Sequence, residues 1–281
     1  MKHESTHIES APGVRLYTQC WLPEEKPRAV LAIVHGFGEH SDRYGNIVHA
    51  LLPHGIGVCA FDLRGHGRSS GQRGHIDSWQ DFRQDVRAFL DHVRQRVGEV
   101  PIFLFGHSMG GLIVLDYALE TPQGLAGVIA SGPVLAQPGV SPVLIFISRL
   151  VSRLYPRFSM DTHLDASALS RDPEVVRAYE QDPLVHSRAS ARLGTELTAT
   201  VERVQEQASR WTLPLLILHG SDDRLAPPEG SRTFFDNVAI ADKTYKEYPG
   251  GYHEPHNDIQ KEQAIQDVLN WLEGHLTQGA A

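Results

Sequence analysis

The stretch Ile102-Phe103-Leu104-Phe105-Gly106-His107-Ser108-Met109-Gly110-Gly111 limits what this chain can fold into more than any other. Its first residues are apolar on both faces, which reads as a strand buried inside a parallel sheet. The helical pattern Leu112, Val114, Leu115, Ala118 and Leu119 follows at once, so Ser108 falls on a strand-to-helix turn. Gly106 and Gly110 flank it at two residues' distance, where larger side chains would collide with the neighbouring strand and helix. A Gly-x-Ser-x-Gly turn of this kind lifts the hydroxyl above the sheet and aims the Met109 N–H at the place where an oxyanion would form. The alternative, a buried serine in a glycine-rich turn, explains neither the strand before it nor the helix after it.

Further apolar runs at Ala29–Val34, Ile56–Phe61, Leu125–Ala130 and Leu213–Leu218, with Thr244–Tyr248, alternate with helical patterns at 44–52, 77–97 and 258–276. The alternation predicts an α/β chain: a mostly parallel central sheet with helices on both faces. Residues 14–21 alternate weakly and read as an antiparallel edge strand. Between about 137 and 210 no strand is expected, so this segment reads as a helical cap inserted into a core of residues 1–136 and 211–281. Its first helix, Pro142 to Tyr155, carries the consecutive apolar residues Val143 to Ile147, then Leu150, Val151 and Leu154. At about 100° per residue such a run circles the helix, which is either sandwiched between core and cap or leaves an apolar face near Val143 to Val151 for lipid or a membrane surface. Leu193, Leu197, Val201, Val204 and Ala208 form one helical stripe that reads as packing.

Among 281 residues, 26 are basic and 34 acidic, a net charge of −8 with no basic block to neutralise phosphates, which excludes a nucleic-acid partner. Cys20 and Cys59 fall in expected strands without metal-ligand spacing and read as buried free thiols. The N-terminus is polar and no run approaches membrane-spanning length, so the expected location is cytoplasmic, with peripheral membrane contact left to the cap helix. Asp62 to Ser69 is glycine-rich but lacks a phosphate-loop lysine and reads as a structural turn. His253-Glu-Pro-His256 has the wrong spacing for a zinc helix and a proline inside it, so neither metal nor cofactor is expected.

A serine needs a base to take its proton, and the base needs a buried acceptor that fixes its tautomer. His219-Gly-Ser-Asp222-Asp223 and Gly250-Gly-Tyr-His253 each follow a strand on the same sheet edge as Ser108. Ser108, Asp223 and His253 then occur in the order nucleophile, acid, base, with Asp222 the competing acid. His35-Gly-Phe37-Gly38 after the first buried strand supplies a second oxyanion donor, assigned to the Phe37 N–H.

His35 to His40, Asp62 to Ser69, Gly106 to Gly111, Gly220 to Asp223 and Gly251 to His253 together resemble the monoacylglycerol lipase and lysophospholipase group of the α/β-hydrolases, over nearly the whole chain. The Gly-Glu-His-Ser-x-Arg-Tyr stretch, Gly38 to Tyr44, is its most discriminating part. The resemblance implies an α/β-hydrolase fold with a lid, and a serine ester hydrolase that splits monoacylglycerols through an acyl-enzyme on Ser108. It matches Ser108, Asp223 and His253 to the triad, Phe37 and Met109 to the oxyanion donors, and Glu39, Arg43, His107, Tyr179 and His256 to polar positions around the glycerol end. Glu39 and Arg43 also read as an ion pair bracing the oxyanion loop. Phe37 and Ala226 depart from some relatives, which carry a smaller residue and a cysteine there. The near alternatives are a lysophospholipase, which would need a cation such as Arg43, Arg149 or Arg153 at the phosphate, and a short-chain carboxylesterase. A proline aminopeptidase-like peptidase would need cap acids such as Glu174, Glu180 or Glu196 to hold an amine, and a non-catalytic receptor would not need the triad.

Overall fold

The computed structural model describes residues 1–136 and 142–278, with the side chains of all of these except 142–147 and 278. Its elements in chain order are β1 (Lys2–Ala11), β2 (Val14–Leu22), β3 (Ala29–Val34), α1 (Gly45–Leu51), β4 (Ile56–Phe61), α2 (Gln80–Val97), β5 (Ile102–His107), α3 (Met109–Glu120) and β6 (Gly127–Ser131). Then come α4 (Pro142–Leu154), β7 (Ser159–Asp161), α5 (Pro173–Gln181), β8 (Arg188–Ser190), α6 (Ala191–Gln207), β9 (Leu215–Gly220), α7 (Pro228–Asn237), β10 (Lys243–Tyr248) and α8 (Lys261–Gln278).

An 8-stranded sheet runs in the order β1-β2-β4-β3-β5-β6-β9-β10. The pairs from β4 onward are parallel, while β1–β2 and β2–β4 are antiparallel. Every residue of β3, β4, β5, β6 and β9 is buried, because helices cover both faces. On β3 the side-chain alternation divides the core. Val30, Ala32 and Val34 join α2, α3 and α6 residues such as Phe89, Leu112 and Val204. Leu31 and Ile33 join Ile47 of α1 and Val268 and Leu272 of α8 on the other face.

The strand order fixes where chemistry can sit. From β3 the chain crosses to β4 on one side, and β5 then adds on the other. The direction in which the sheet grows thus reverses between β3 and β5, which are paired with Val34 opposite Gly106. The crevice at their carboxyl ends is the switch point at which open α/β sheets bind ligands.

Several expectations need correction. The edge strand is β1, absent from the sequence reading, and residues 14–21 lie one strand further in. In β1 only Ile8, Ser10 and Ala11 are even half-buried, so its side chains carry no apolar alternation that would mark the strand, which is held mainly by backbone pairing with β2. Cys20 and Cys59 are not free thiols: register sets them opposite one another on β2 and β4, and they form a disulfide. Residues 137–210 are not wholly helical, since β7 and β8 pair as a short antiparallel ribbon. Too few residues lie in each strand for alternation to show. As expected, the α6 stripe packs, with Leu193, Val201, Val204 and Ala208 in the core cluster. The side chains Val143 to Ile147 lie outside the described residues, as do residues 137–141. No helix among the described residues is long and apolar enough to cross a membrane.

Candidate active site

Ser108 sits between β5 and α3 with φ 56° and ψ −120°, a positive-φ conformation that costs a residue with a Cβ about 1–3 kcal/mol. The flanking glycines make the turn feasible. A Cβ on Gly106 would strike the Gly110 carbonyl, and one on Gly110 would strike the carbonyls of Val34 and His35. The Met109 N–H opens α3 and so has no carbonyl within the helix to bond. Phe37 lies in the loop after β3, and among the described residues no hydrogen bond engages its N–H.

The loops after β9 and β10 bring Asp223 and His253 to Ser108. His253 Nε2 lies 2.9 Å from Ser108 Oγ, and Nδ1 lies 2.7 Å from Asp223 Oδ2. Asp223 Oδ1 accepts the N–H groups of Leu225 and Ala226, both at 2.9 Å. His219 Nε2, to which the sequence reading gave no role, approaches Asp223 Oδ2 at 3.1 Å and the Ala226 carbonyl at 2.8 Å. Asp222, the competing acid, is exposed and bonds Ser221 instead. Burial alone would raise the Asp223 carboxyl, but the charge of His253 and the hydrogen bonds of His219 and His253 hold it far below the usual carboxylate range. Burial pulls the His253 imidazole down; the Asp223 carboxylate, then Glu254 and Glu39, outweigh it, so the ring titrates above its ordinary value.

Beside Ser108 lies a cavity of about 30 Å³ lined by Phe37, Glu39, Arg43, His107, Tyr179 and Glu254 among others. Glu39 Oε1 accepts the Gly36 N–H at 2.7 Å and the Tyr44 hydroxyl at 2.9 Å, and Oε2 accepts from Arg43 at 3.0 Å. Burial opposes ionisation of Glu39, yet Arg43, His107 and His35 hold its carboxyl well below the usual range. Arg43 sits 4.8 Å over the Tyr179 ring, whose hydroxyl burial pushes up to about 12. Burial, with His253 and His256 nearby, pulls His107 down to about 3, so at neutral pH it is an uncharged ring whose Nδ1 meets the Ser131 carbonyl at 2.9 Å. His256 is the exception among the residues matched to the glycerol end. It stacks on Tyr44 at 5.0 Å behind the cavity, lines none of it, and has neither ring nitrogen bonded.

The reading missed Glu254, whose carboxylate binds Arg43 through both oxygens at 2.7 and 2.8 Å. Its one sequence signal was its place next to His253. The segment between β6 and β9 closes over the site: Leu164 and Leu169 line the cavity, and the Glu254 N–H donates to the Leu169 carbonyl at 2.9 Å. His40 Nε2 meets Asp182 Oδ2 at 2.8 Å, and the His186 N–H donates to the Gly38 carbonyl at 2.9 Å. Among the described residues no group of acidic, histidine or cysteine side chains is placed to hold a metal ion.

A family model described as serine aminopeptidase, S33 matches residues 25–260. A monoacylglycerol lipase of Mycolicibacterium smegmatis is 39% identical over 266 residues, covering 94% of this chain and 95% of its own. The monoglyceride lipase of Mus musculus is 34% identical over 281 residues, covering 98% and 92%. The crystal structure of the Paleococcus ferrophilus monoacylglycerol lipase matches with a TM-score of 0.84 at 39% identity, over 92% of this chain and 99% of that one. With the sheet order, the strained serine turn and these matches in hand, the chain belongs to the serine aminopeptidase S33 family of α/β-hydrolases, in its monoacylglycerol lipase group.

Proposed function

We propose that this protein hydrolyses monoacylglycerols to glycerol and free fatty acid, with Ser108 as nucleophile, His253 as base and Asp223 as the group that orients it. The carrying observation is the run of contacts Ser108 Oγ to His253 Nε2 at 2.9 Å and His253 Nδ1 to Asp223 Oδ2 at 2.7 Å. Ser108 Oγ attacks the ester carbonyl carbon as its proton passes to His253 Nε2, and the carbonyl oxygen becomes an oxyanion facing the Phe37 and Met109 N–H groups. Collapse breaks the ester C–O bond, and His253 returns the proton to the departing glycerol oxygen. Water then gives a proton to His253 and attacks the acyl carbon; the second collapse breaks the bond from the acyl carbon to Ser108 Oγ, His253 returns its proton to that oxygen, and the fatty acid leaves.

In this reading residues 137–210 are the cap and Glu39, Arg43, His107 and Tyr179 surround the glycerol. For a lysophospholipase the cavity offers Arg43 as the cation among its described lining residues, and Glu254 and Glu39 already pair with it; the exposed Arg149 and Arg153 lie outside that lining. An aminopeptidase finds no support in the cap acids: Glu174 and Glu180 are exposed and Glu196 is bonded to the Trp79 N–H. For contact with a lipid surface, the described part of α4 and the chain after it offer exposed Leu150, Leu154, Tyr155, Phe158 and Met160 beside Arg149, Arg153 and Arg157. Flotation with anionic vesicles should carry the wild type and not the double variant Leu154→Glu/Phe158→Glu.

The test of the reaction is hydrolysis of 1-monooleoylglycerol and a p-nitrophenyl ester by the wild type and Ser108→Ala, with lysophosphatidylcholine and a triacylglycerol alongside. Glycerol release from the monoacylglycerol, lost in the variant, is expected. Equal turnover of lysophosphatidylcholine would sink the narrower substrate, and activity surviving in Ser108→Ala would sink the mechanism.

A further inference from the structure

We propose that Glu254 is a positioning residue that locks the loop carrying the His253 base to the loop carrying the Phe37 amide, acting through Arg43 and Glu39. The inference rests on the reading of Ser108 and His253 as nucleophile and base, and goes beyond it.

The lock is a continuous set of buried bonds. Glu254 follows His253 directly, and both oxygens of its carboxylate accept from Arg43, at 2.7 and 2.8 Å. Arg43 Nη1 also donates to Glu39 Oε2 at 3.0 Å, and Glu39 Oε1 accepts the Gly36 N–H at 2.7 Å, one residue from Phe37. Asn257 Nδ2 steadies Glu254 Oε2 at 2.9 Å. Glu39 and Glu254 are almost fully buried. Two buried carboxylates on one guanidinium leave an excess negative charge, and removing that charge from water costs stability. A bidentate pair with Glu39 alone would satisfy Arg43 on the oxyanion side. The second carboxylate adds something a single pair cannot: it ties residues 36 and 254, which come from opposite flanks of the sheet crevice, into one rigid unit.

The same carboxylate faces the base electrically. Around the His253 ring stand Asp223 from the loop after β9, Glu39 and Arg43 from the stretch after β3, His107 from the end of β5, and Glu254 and His256 from its own loop. Burial holds His107 at about 3 and His256 at about 4, so both are uncharged near neutrality. Glu254 is thus one of the anions that lift His253, a consequence that a purely structural brace would not have.

The test compares the wild type with Glu254→Gln, which keeps the shape and removes the charge, and with Glu254→Asp, which keeps the charge and shortens the reach. Three quantities are read: kcat and KM on p-nitrophenyl butyrate and 1-monooleoylglycerol, the acid limb of kcat/KM, and the rate of Ser108 labelling by a fluorophosphonate. Misplacing reacting groups by about 1 Å costs about 100-fold. For Glu254→Gln the expected result is therefore a fall of about 10- to 100-fold in kcat and in labelling rate, KM within about threefold of the wild type, and an acid limb moved to lower pH. Glu254→Asp should lose kcat while leaving the acid limb nearer its original place. A Gln variant with kcat and labelling within about twofold of the wild type and an unmoved acid limb overturns the proposal; so does a loss confined to KM, which would make Glu254 a substrate contact. If the Gln variant does not fold, Asn257→Ala, which removes one hydrogen bond to the same carboxylate, should show the same kcat-weighted loss at about two- to fivefold, and an unchanged kcat there overturns the proposal. Labelling needs no glycerol ester, so a wild type that labels but leaves monoacylglycerol intact refutes the substrate assignment and still reads the lock.

Discussion

Replacing Asp223 with asparagine is the sharpest probe of the relay, because the surrounding bonds dictate which way the new amide must turn. Asp223 Oδ1 accepts two backbone N–H groups, from Leu225 and Ala226. Only the amide oxygen can stay there, which puts the NH₂ group at the position of Oδ2, 2.7 Å from His253 Nδ1 and 3.1 Å from His219 Nε2. The amide then donates to Nδ1 and forces the proton onto Nε2. That nitrogen would point a hydrogen at Ser108 Oγ and could not take its proton. The charge is lost as well: a carboxylate and an imidazolium in contact at 2.7 Å, with an effective dielectric of about 20, attract by about 6 kcal/mol. Tautomer and charge together place the expected loss at about 10⁴-fold in kcat, with KM little changed. Initial rates on p-nitrophenyl butyrate measure it, with thermal melting of both proteins confirming that the variant is folded. A folded Asp223→Asn variant within about tenfold of the wild-type kcat would refute the relay and return Asp222 or another acceptor to consideration.

Four further outcomes are expected. Because Asp223, Glu254 and Glu39 lift His253 above its ordinary 6.5, kcat/KM should fall as pH drops through a value above 6.5; an acid limb at pH 6 or lower contradicts this. Asp223, Glu39 and Glu254 all have lowered values, so their stabilisation is full above the unfolded values of 3.8 and 4.5 and fades as pH falls below them; melting temperature should decline steadily on the acid side, and a flat profile to pH 2 would count against it. The Cys20–Cys59 bond closes a separation of 39 residues, worth about 4 kcal/mol in chain entropy, so denaturant unfolding of the double Cys→Ala variant should show a loss of about 2–4 kcal/mol, and unreduced unfolded wild type should titrate no thiols. Gly110→Ala should cost at least about 2 kcal/mol or abolish folding, since its methyl meets the carbonyls of Val34 and His35; a soluble variant with unchanged melting would show that β3 and α3 can separate there.

What could be read in advance followed from how strongly each element writes itself into side chains. Strands buried on both faces are apolar throughout, so β3, β4, β5, β6 and β9 were plain. The strained serine was equally plain, because only glycine tolerates the carbonyls packed against positions 106 and 110. β1 was hidden because its ladder is made by backbone atoms and its side chains are mostly wet. The disulfide was hidden because it depends on register: Cys20 and Cys59 face each other only through the pairing of β2 with β4. Glu254 and Arg43 are far apart in sequence and leave no local pattern at all, while His219 meets Asp223 only because the turn after β9 folds the carboxylate back onto the ring. His256 shows the converse: a histidine three residues past the base reads as a site residue, and the fold spends it on stacking against Tyr44.

The N–H groups of His253 and Glu254 donate to the carbonyls of Ala168 and Leu169, at 3.4 and 2.9 Å. The chain that covers the cavity beside Ser108 thus also holds down the backbone of His253. Lifting that part of the roof cannot be a simple hinge over a finished machine, because it pulls on one main-chain bond of His253 and one of its neighbour Glu254. If Ser108 and His253 act as proposed, losing these two bonds would loosen the base, so a serine exposed to water would be less reactive. The timing of chemistry would then be set by closure, and idle attack on passing electrophiles would be suppressed by the same two bonds.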